Sequence, residues 1–516
     1  MPEIELKFLL DEAGARRLKS RLKSLSDTEE APRARNLRSV YYDTPDHVLK
    51  RAGIALRLRR DGRRWIQTVK AKTKRHGAMQ STEEAENYAT GGRLQLHEIP
   101  DAELQEAVLS LVNGSDLEPV CETEIKRTAA TVRTNDGSKI ELAVDEGEIK
   151  AGEAARAFRE AELELVEGRL GALFDLTQEL FPKGGLKFSR MSKAGRGYML
   201  HAEDRIETPL LPRNAAKVPL DPMQSSETAA RDVLRECFEQ ISQNVEVMGL
   251  SDDPEGPHQL RVGLRRLRSA FSVFKPAIGN PEMERLNTEA RWLGQEVGSL
   301  RDLDVAVVDL LDPAAEQTGD AESFSVLRDA IVARGTARRA ELRDVLQEPR
   351  THSFVIDLAR FIEARGWLLP NDFGQTTRLA RPISDLAVDA LDKRWKSVRK
   401  HARGIDTLSI EERHELRKEL KKLRYAVEFL GPLFAKKQVD HFVRHLKSLQ
   451  AIFGDLNDLA MAEELLTVPN APGADEPAAQ RAVGWILGSR GTMAEYSWHE
   501  AKSLWHGLKD TRQFWH

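Results

Sequence analysis

The hydrophobic periodicity of this chain changes once, near residue 210, and that change limits what the chain can fold into. Before it, apolar and charged residues alternate over short runs, which is typical of strands with one buried face. Clear examples are residues 4–8, 54–59 and 161–165. Helical patterns lie between the strands at about residues 11–25, 102–112 and 168–181. The first part is therefore predicted to be α+β, with a mainly antiparallel sheet.

Turn chemistry and a proline-rich segment give the predicted boundaries. Asp61-Gly62 and Asn135-Asp136-Gly137 are hairpin signals. Four prolines between residues 209 and 222 then interrupt both periodicities, as a linker would. After about residue 224 the strand signal vanishes and apolar residues recur every three to four positions, which predicts an all-helical part. The predicted domains are residues 1–203 and 224–510, joined by a linker at 204–223.

The helical part repeats itself at a fixed spacing. Residues 258–268 match residues 414–424, and residues 298–303 match residues 454–459, with the same offset of 156 residues. Two separate matches at one offset indicate a duplication. The helical part is therefore predicted to be two similar bundles, at about residues 224–380 and 381–510.

Length and composition limit the class of protein and the compartment in which it is expected. The chain has 516 residues, so two or more cores are expected. No apolar run approaches the roughly 18 residues that span a bilayer, and the acidic first residues are unlike a secretory signal. Its two cysteines, Cys121 and Cys237, are predicted to be buried thiols in a reducing, cytoplasmic compartment. A net charge of −4 gives no global attraction for nucleic acid, so anion binding must come from local clusters.

Charged residues occupy one face of several predicted strands, because positions i, i+2 and i+4 share a face. These faces hold Glu3, Glu5 and Lys7; Arg57 and Arg59; Lys70 and Lys72; Glu84 and Glu86; and Glu160, Glu162 and Glu164. One interpretation is that each is the solvated face of a sheet. Together, however, they place carboxylates about 7 Å apart, an arrangement that a divalent metal would relieve. If the sheet closes into a barrel, these faces line its lumen.

The first part resembles the CYTH, or triphosphate tunnel metalloenzyme, superfamily over about residues 1–200. The resemblance rests on an ordered set of motifs: Glu3-x-Glu5-x-Lys7, Tyr41-Tyr42-Asp43-Thr44-Pro45-Asp46, Leu56-Arg57-Leu58-Arg59, Gln67-Thr68-Val69-Lys70, Thr123 with Arg127, Asp145-x-Gly147, Glu160-x-Glu162-x-Glu164-Leu165, and Ser192-Lys193-x-x-Arg196-Gly197-Tyr198. It implies a closed, eight-stranded antiparallel β-barrel with flanking helices that hydrolyses a triphosphate with Mg²⁺ or Mn²⁺.

In that resemblance, carboxylates hold the metal and cations neutralise the phosphate chain. The implied metal ligands are Glu3, Glu5, Glu162 and Glu164, and the implied catalytic residues are Glu5, Glu162 and Glu164. The implied substrate-binding residues are Lys7, Arg57, Arg59, Lys70, Lys72, Arg127 and Lys193. One departure is Thr82, which stands where such proteins commonly have the arginine of an Arg-x-Glu-x-Glu motif. That departure puts substrate affinity or fine specificity in question.

Two predicted helices carry basic stripes. His258, Arg261, Arg265 and Arg268 share one helix face, and so do His414, Arg417, Lys421 and Arg424. A solvated face with ion pairs is the usual explanation, but few acids accompany these stripes. Since like charges four residues apart are mildly destabilising, the stripes favour a polyanionic partner. The two histidines keep a structural role as an alternative.

The helical part resembles the CHAD domain over about residues 224–510. The matching motifs are His258-x-x-Arg261-Val262-x-x-Arg265-Arg266-Leu267-Arg268 and Leu300-Arg301-Asp302-Leu303-Asp304. The second repeat is looser, with Asn457 and Ala460 opposite Arg301 and Asp304. The resemblance implies two four-helix bundles that bind inorganic polyphosphate. Asp302 and Asp458 are predicted to be partners of the arginines rather than metal ligands.

Together these patterns predict a metal-dependent inorganic triphosphatase with a polyphosphate-binding module. An adenylate cyclase or organic triphosphatase of the same superfamily stays open, because the tunnel residues recognise the triphosphate and not what is attached to it. A non-enzymatic polyphosphate scaffold is a second alternative, encouraged by Thr82 and opposed by the intact acidic pairs. Nucleic acid is less favoured as a partner, because aromatic residues are not interleaved with the basic stripes.

Overall fold

The structure, a computed structural model, describes residues 3–25, 31–76, 79–182 and 184–516, apart from the side chains of residues 455–458 and 494–495. The chain divides into two compact units. The first contains Met1–Leu210 and Val355–Ala364, and the second contains Leu211–Phe354 and Arg365–His516. The longer segment of the first unit, Met1–Leu210, thus ends inside the linker predicted at residues 204–223. The domain limits themselves stay a prediction.

The first unit is built on one antiparallel sheet. Its strands are β1 (Glu3–Leu9), β2 (Arg33–Asp43), β3 (Ala55–Asp61), β4 (Arg64–His76), β5 (Met79–Tyr88), β6 (Glu118–Arg133), β7 (Lys139–Ala151), β8 (Ala154–Glu167) and β9 (Lys187–Phe188). Their order is β5-β4-β3-β2-β6-β7-β8-β1-β9, and β1 also pairs with β5. The first eight strands therefore close into a barrel, which confirms the predicted fold. Gly62 and Gly137 have φ angles of 60° and 85° in two of the hairpins, as the predicted turns require.

Helices cover the outward, apolar faces of these strands. They are α1 (Glu12–Leu25), α2 (Val48–Arg51), α3 (Ala102–Val112), α4 (Gly171–Leu180) and α5 (Lys193–Glu203). One core joins Leu56 and Val69 of the barrel wall to Leu104 and Val108 of α3. Because alternate side chains of a strand point to opposite faces, burying these apolar residues outside turns the charged ones into the lumen.

The second unit is helical. Its helices are α6 (Ser226–Leu250), α7 (Glu255–Ile278), α8 (Pro281–Val305), α9 (Asp312–Thr318), α10 (Ala321–Gln347), α12 (Gln375–Ala380), α13 (Ile383–His401), α14 (Ile410–Leu430), α15 (Lys436–Leu466) and α16 (Pro477–Asp510), and α11 (Pro349–Glu363) lies between α10 and α12 in the chain. A π-helical segment, Ala306–Leu311, joins α8 to α9, so that these two serve as one long helix. Helices α6, α7, α8 with α9, and α10 form one four-helix bundle, and α13 to α16 form the other.

The duplication predicted from the sequence is visible in the positions of these helices. The starts of α6 and α13, α7 and α14, α8 and α15, and α10 and α16 differ by 155 to 157 residues. A shared core packs the two bundles together, with Leu310 and Phe324 of the first against Ala482 and Ile486 of the second. The repeat seen in the sequence is therefore a repeat of whole helices.

One helical segment belongs to the first unit although the sequence analysis assigned it to the helical domain. Residues 355–364, in α11, group with the barrel. The side chain of Gln178 in α4 donates to Asp357 at 2.5 Å, and Arg360 pairs with Asp175 at 3.1 Å. A helical pattern carries no sign of which core will bury it, so the sequence could not show this.

Two further expectations from composition can be compared with the structure. Cys121 and Cys237 are buried free thiols, as predicted. Among the described residues, no helix is long and apolar enough to cross a membrane.

Candidate functional sites

The lumen of the barrel holds a cavity of about 1770 Å³. The lumen-facing rows of β1 to β8 and the start of α5 line it. It brings together every barrel residue to which the sequence analysis gave a role, namely Glu3, Glu5, Lys7, Arg57, Arg59, Lys70, Lys72, Arg127, Glu162, Glu164 and Lys193. The strand alternation that predicted one shared surface is therefore confirmed, although the individual roles stay predictions.

Glu162 lies at the centre of a buried network of ion pairs. Its carboxylate accepts from Lys7 at 2.7 Å and from Lys193 at 2.8 Å, and it also accepts from Arg127. Burial alone would raise the pKa of Glu162, but these cations outweigh burial and hold the pKa well below its usual value. Both of its oxygens are thus engaged by cations.

Helix α5 supplies the third cation of this network. The Ser192 side chain caps the helix by accepting from the Gly195 amide, and Lys193 in the first turn then reaches Asp145 at 2.8 Å and also Glu160. Gly197 allows the helix to lie close to β6, because a Cβ there would meet the Cys121 sulfur at 2.1 Å. Asp145, Glu160 and Glu162 could geometrically hold a cation, since their oxygens lie within 4.8 Å of one another. Lys193 and Arg127 already neutralise them.

A second acidic group in the lumen is less fully neutralised: Lys70 pairs with Glu3 at 2.5 Å and Lys7 with Glu5 at 3.0 Å, while Glu141 and Glu164 have no ion pair among the described residues. Glu5 lies directly opposite Glu164 on the neighbouring strand, and Glu164 lies opposite Glu141 on the next. Burial, together with Glu3, Glu141 and Glu5, raises the pKa of Glu164 to about 7. The pKa of Glu3 and that of Glu5 are also raised, in both cases mainly by burial. We call Glu3, Glu5, Glu141 and Glu164 the acidic row.

Among the described residues, three carboxylate oxygens lie within 4.8 Å of one another only in Asp145, Glu160 and Glu162, and the acidic row offers further carboxylate oxygens to a divalent cation. Hard cations such as Mg²⁺ prefer carboxylate oxygens, and an added positive charge would stabilise ionised groups that now repel one another. The Asp145–Glu160–Glu162 cluster does not need one, because lysine and arginine already supply its positive charge. The structure therefore separates Glu162 from the other three implied metal ligands. The physical reason is that α5 brings Lys193 onto β8, which strand spacing cannot predict.

The cations of β3 and β4 form the opposite wall of the cavity. Lys70 pairs with Glu3 at 2.5 Å and with Glu84 at 3.0 Å, while Arg59 pairs with Glu86 at 3.1 Å. The buried Nε atoms of Arg57 and Arg59 have no hydrogen-bond partner in the described part of the chain. Burial and the neighbouring Arg57 lower the pKa of Arg59. An anion beside these guanidinium groups would therefore be stabilised.

Lys72 is the exception among the predicted substrate-binding residues. It has a φ of 50° and lies at a β-bulge, where the pairing of β4 with β5 shifts register. A bulge inserts one extra residue and so reverses the alternation of faces. Lys72 consequently pairs with Glu83 at 3.1 Å and with Glu103 at 2.7 Å, and half of its side chain is exposed. It lines the edge of the cavity but does not join the other cations.

The lumen also holds charged residues for which no role was predicted from the sequence, among them Glu141 and Arg75. Glu141 shares the lumen face of β7 with Asp145, four positions later, so its alternation was a usable signal. Arg75 reaches the cavity only because the bulge before it changes which face it occupies. Its positive charge acts on Glu5, close to the position where Thr82 replaces the usual arginine.

In the second unit, the two predicted basic stripes meet. Burial lowers the pKa of Lys421 to about 6, and the neighbouring Arg265, Arg417, Arg424 and Arg261 lower it further. Lys421 belongs to the second repeat and Arg265 to the first, at equivalent positions 156 residues apart. No ion pair of Lys421 is present among the described residues. We call Arg261, Arg265, Arg417, Lys421 and Arg424 the basic cluster.

The remaining stripe residues lie around this cluster. Burial lowers the pKa of His258, and Arg301, Arg265 and Arg261 add to the effect, which places this histidine among the arginines. Arg268 lies close to Arg265 and also to Arg291, a residue that the sequence analysis did not identify. His414 is exposed and has Arg417 and Lys418 nearby.

The aspartate predicted to hold an arginine does so. Asp302 accepts from Arg261 at 2.6 Å, as expected of a structural partner. The matching predictions for Asn457 and Asp458 concern side chains outside the described residues. Arg424 pairs with Glu428 at 3.2 Å, and Glu428 also accepts from Arg266 at 3.0 Å. Asp302 and Glu428 thus pair with arginines at the edge of the basic cluster, whereas Lys421 has no acidic partner among the described residues.

Comparisons with known proteins agree with this division. The CYTH domain profile matches residues 1–198 and the CHAD domain profile matches residues 232–467. The inorganic triphosphatase of Haemophilus influenzae is 32% identical over 173 residues, which are 32% of this chain and 46% of that protein. The chain thus spans about half the length of that relative.

Two further proteins match larger parts of the chain. An uncharacterized protein of Mycobacterium tuberculosis is 25% identical over 502 residues, covering 90% of this chain and 88% of that protein. The crystal structure of the CHAD domain from the plant Ricinus communis covers 58% of this chain and 98% of its own, with 26% identity and a TM-score of 0.50. In this chain a match to the CYTH domain over residues 1–198 is therefore followed by a match to the CHAD domain over residues 232–467.

Proposed function

We propose that the barrel hydrolyses inorganic triphosphate to diphosphate and phosphate with bound Mg²⁺ or Mn²⁺. The observation that carries this proposal is the presence, in one closed lumen, of mutually repelling carboxylates in the acidic row and of buried arginine Nε atoms without a hydrogen-bond partner among the described residues. A metal and a phosphate chain together would supply both missing charges. The similarity to an inorganic triphosphatase over the barrel supports the choice of substrate.

In this proposal different residues of the lumen bind the metal, bind the phosphate chain and maintain the charge around them. Glu3, Glu5 and Glu164, joined by Glu141, would hold the metal, which supplies Lewis-acid stabilisation of phosphoryl oxygens. Arg57, Arg59 and Lys70 bind and orient the phosphate chain, with the guanidinium groups making paired hydrogen bonds to its oxygens. Lys7, Arg127 and Lys193 keep Glu162 ionised and balance the negative charge of Asp145, Glu160 and Glu162 behind the chain. Catalysis then rests on positioning and charge stabilisation, with no covalent nucleophile.

We further propose that the basic cluster of the helical unit binds inorganic polyphosphate. Burial and four neighbouring arginines lower the pKa of Lys421, and a polyanion would offset the repulsion and favour the protonated amine. The ligand of this cluster and the substrate of the barrel share one chemistry, a chain of phosphoanhydrides. A cytoplasmic location belongs to the same proposal and is supported by the two free thiols.

A phosphate-release assay tests the barrel. Purified protein is given tripolyphosphate, ATP or long polyphosphate with Mg²⁺ or Mn²⁺, and again with a chelator present. We expect release from tripolyphosphate that is fastest with metal and abolished by the chelator. Faster release from ATP, or formation of cyclic AMP, would assign the barrel to organic triphosphates instead. No release from any of the three would leave a binding protein.

A further inference from the structure

The open end of the barrel lumen carries arginines that the proposed reaction does not use. β2 begins at Arg33, and Arg33 and Arg35 line the cavity on the lumen face of that strand. Arg35 lies directly opposite Arg127 across the β2–β6 pairing. Neither arginine belongs to a motif noted in the sequence. The positively charged lining thus continues beyond the residues assigned to the triphosphate.

The position of Arg35 is electrostatically unfavourable without an anion. Like charges directly opposite on neighbouring strands destabilise a sheet. Arg127 is neutralised from the other side by Asp145 at 2.8 Å and by Glu162. Among the described residues, the ion-pair partner of Arg35 is Asp61 at 3.2 Å, and such exposed ion pairs contribute little stability. A phosphate group could therefore replace Asp61 as the partner of Arg35.

The cations of the lumen become more exposed towards this end. The exposed fraction of the side chain is 8% for Lys193, 20% for Arg127 and 51% for Arg35. A chain that is held by the buried cations would leave the lumen past Arg35. The group of the chain that lies beside Arg35 must be one that a guanidinium group can bind through paired hydrogen bonds. Phosphate oxygens have that geometry.

The residues that line the cavity favour a phosphate group over a nucleobase next to Arg35. Among the cavity-lining residues that the structure describes, the aromatic ones are Tyr41 and Tyr198. Both are buried, and the Tyr198 hydroxyl donates to Asp43 at 2.7 Å. Neither offers a face on which a base could stack at the mouth, where Arg33, Arg35 and Asp61 lie instead.

We propose that Arg35 forms an outer subsite that binds a phosphate group beyond the third, so that the barrel takes inorganic chains longer than triphosphate. This inference rests on the proposed function and specifies its substrate further. The relevant chemical class is linear inorganic polyphosphate of four or more units. The subsite acts on binding and selectivity, since strand β6 separates the strand of Arg35 from β7, the nearest strand that carries a residue of the acidic row.

A matched pair of substitutions tests the subsite. Arg35→Gln removes the proposed contact, and Arg38→Gln removes an arginine of the same strand that faces outwards, pairs with Glu122 and is equally exposed at 52%. For each protein the ratio of kcat/KM for tetrapolyphosphate to kcat/KM for tripolyphosphate is measured. We expect the ratio to fall about tenfold in R35Q, as for loss of one charge-assisted hydrogen-bonded contact, and to stay at the wild-type value in R38Q. A ratio unchanged in R35Q, or lowered equally in both variants, would overturn the proposal.

A binding measurement keeps this test independent of the proposed hydrolysis. Tetrapolyphosphate and tripolyphosphate are titrated calorimetrically into wild type and R35Q without divalent metal. Because the basic cluster is the same in both proteins, any difference between them reports the barrel. Weaker tetrapolyphosphate binding by R35Q, in a protein that hydrolyses neither compound, would support the subsite while refuting the hydrolase. Identical titrations would refute the subsite even if hydrolysis is found.

Discussion

Glu5 and Glu164 are cross-strand neighbours in the barrel, and the pKa of each carboxyl is raised above its usual value. Cross-strand neighbours lie close enough for their charges to repel, so ionising both costs stability. The fold retains this pair in a lumen where Asp145, Glu160 and Glu162 are neutralised by lysine or arginine. An arrangement that is unfavourable alone and favourable with a cation is expected of a metal site.

Replacing either member of this pair should separate folding from activity. We expect Glu5→Gln and Glu164→Gln to reduce metal-dependent phosphate release by at least about 100-fold, because each removes a proposed oxygen ligand. Thermal unfolding should show both variants folded, with the stabilisation by added Mn²⁺ reduced. Glu124→Gln is the control, since Glu124 pairs with Lys150 at 2.8 Å on the outer face. Near-normal turnover in folded Glu164→Gln would remove that residue from the metal site.

The raised pKa of Glu164 gives a pH dependence of stability in the absence of metal. Its pKa rises from an ordinary 4.5 to about 7 on folding, so the unfolded chain releases the proton first as pH rises. The stability that Glu164 contributes is therefore present below the lower value and is lost as pH rises through the higher one. In a chelator, the Tm of wild type minus that of Glu164→Gln should decrease between about pH 5 and about pH 8. A difference that does not change with pH would contradict the assignment.

The basic cluster should bind polyphosphate independently of the barrel. We expect Arg265→Gln with Lys421→Gln to weaken long-polyphosphate binding at least about tenfold and to reduce its dependence on salt, because both residues lose charges that meet the ligand. Tripolyphosphate hydrolysis should persist. Lys418→Gln with Lys422→Gln is the matched control on α14, since these lysines pair with Glu415 and Glu419. If the control pair weakens binding as much, only overall charge matters.

Polyphosphate binding should also take up protons. Lys421, with a pKa of about 6, is largely neutral at about pH 7.5, and an adjacent polyanion should protonate it. We expect an uptake of up to about one proton per chain, measured by calorimetry in buffers of different ionisation enthalpy. Lys421→Arg is the control, because arginine stays charged and should bind without that uptake. Equal proton uptake by Lys421→Arg would place the titrating group elsewhere.

The barrel and the membership of its lumen could be predicted because they depend on strand alternation. Glu3, Glu5, Arg57 and Glu164 occupy the lumen for the same reason that Leu56 packs outside. The duplicated bundles could be predicted because two motifs that recur at the same spacing of 156 residues indicate that the structural unit between them is repeated. Both predictions depend only on residues that recur at a regular spacing along the sequence.

The features that the sequence could not predict arise where that period is broken or another element intrudes. The bulge at Lys72 turns this lysine out of the lumen and turns Arg75 in. Lys193 reaches Glu162 from a helix, and this contact separates Glu162 from the acidic row. Residues 355–364 join the barrel from within the helical part of the chain. None of these contacts has a local sequence signature.

The duplication has a consequence for the direction in which a ligand can lie. Arg265 and Lys421 are equivalent positions of two repeats and adjoin each other, so both repeats supply a cation from the same position to the basic cluster. Under the proposed function, a polymer on this cluster would meet cations from equivalent positions of both repeats. Inorganic polyphosphate has no chemical direction, whereas a nucleic acid strand has distinct 5′ and 3′ senses. Equivalent contacts from two repeats would therefore suit a polymer whose two directions are chemically the same.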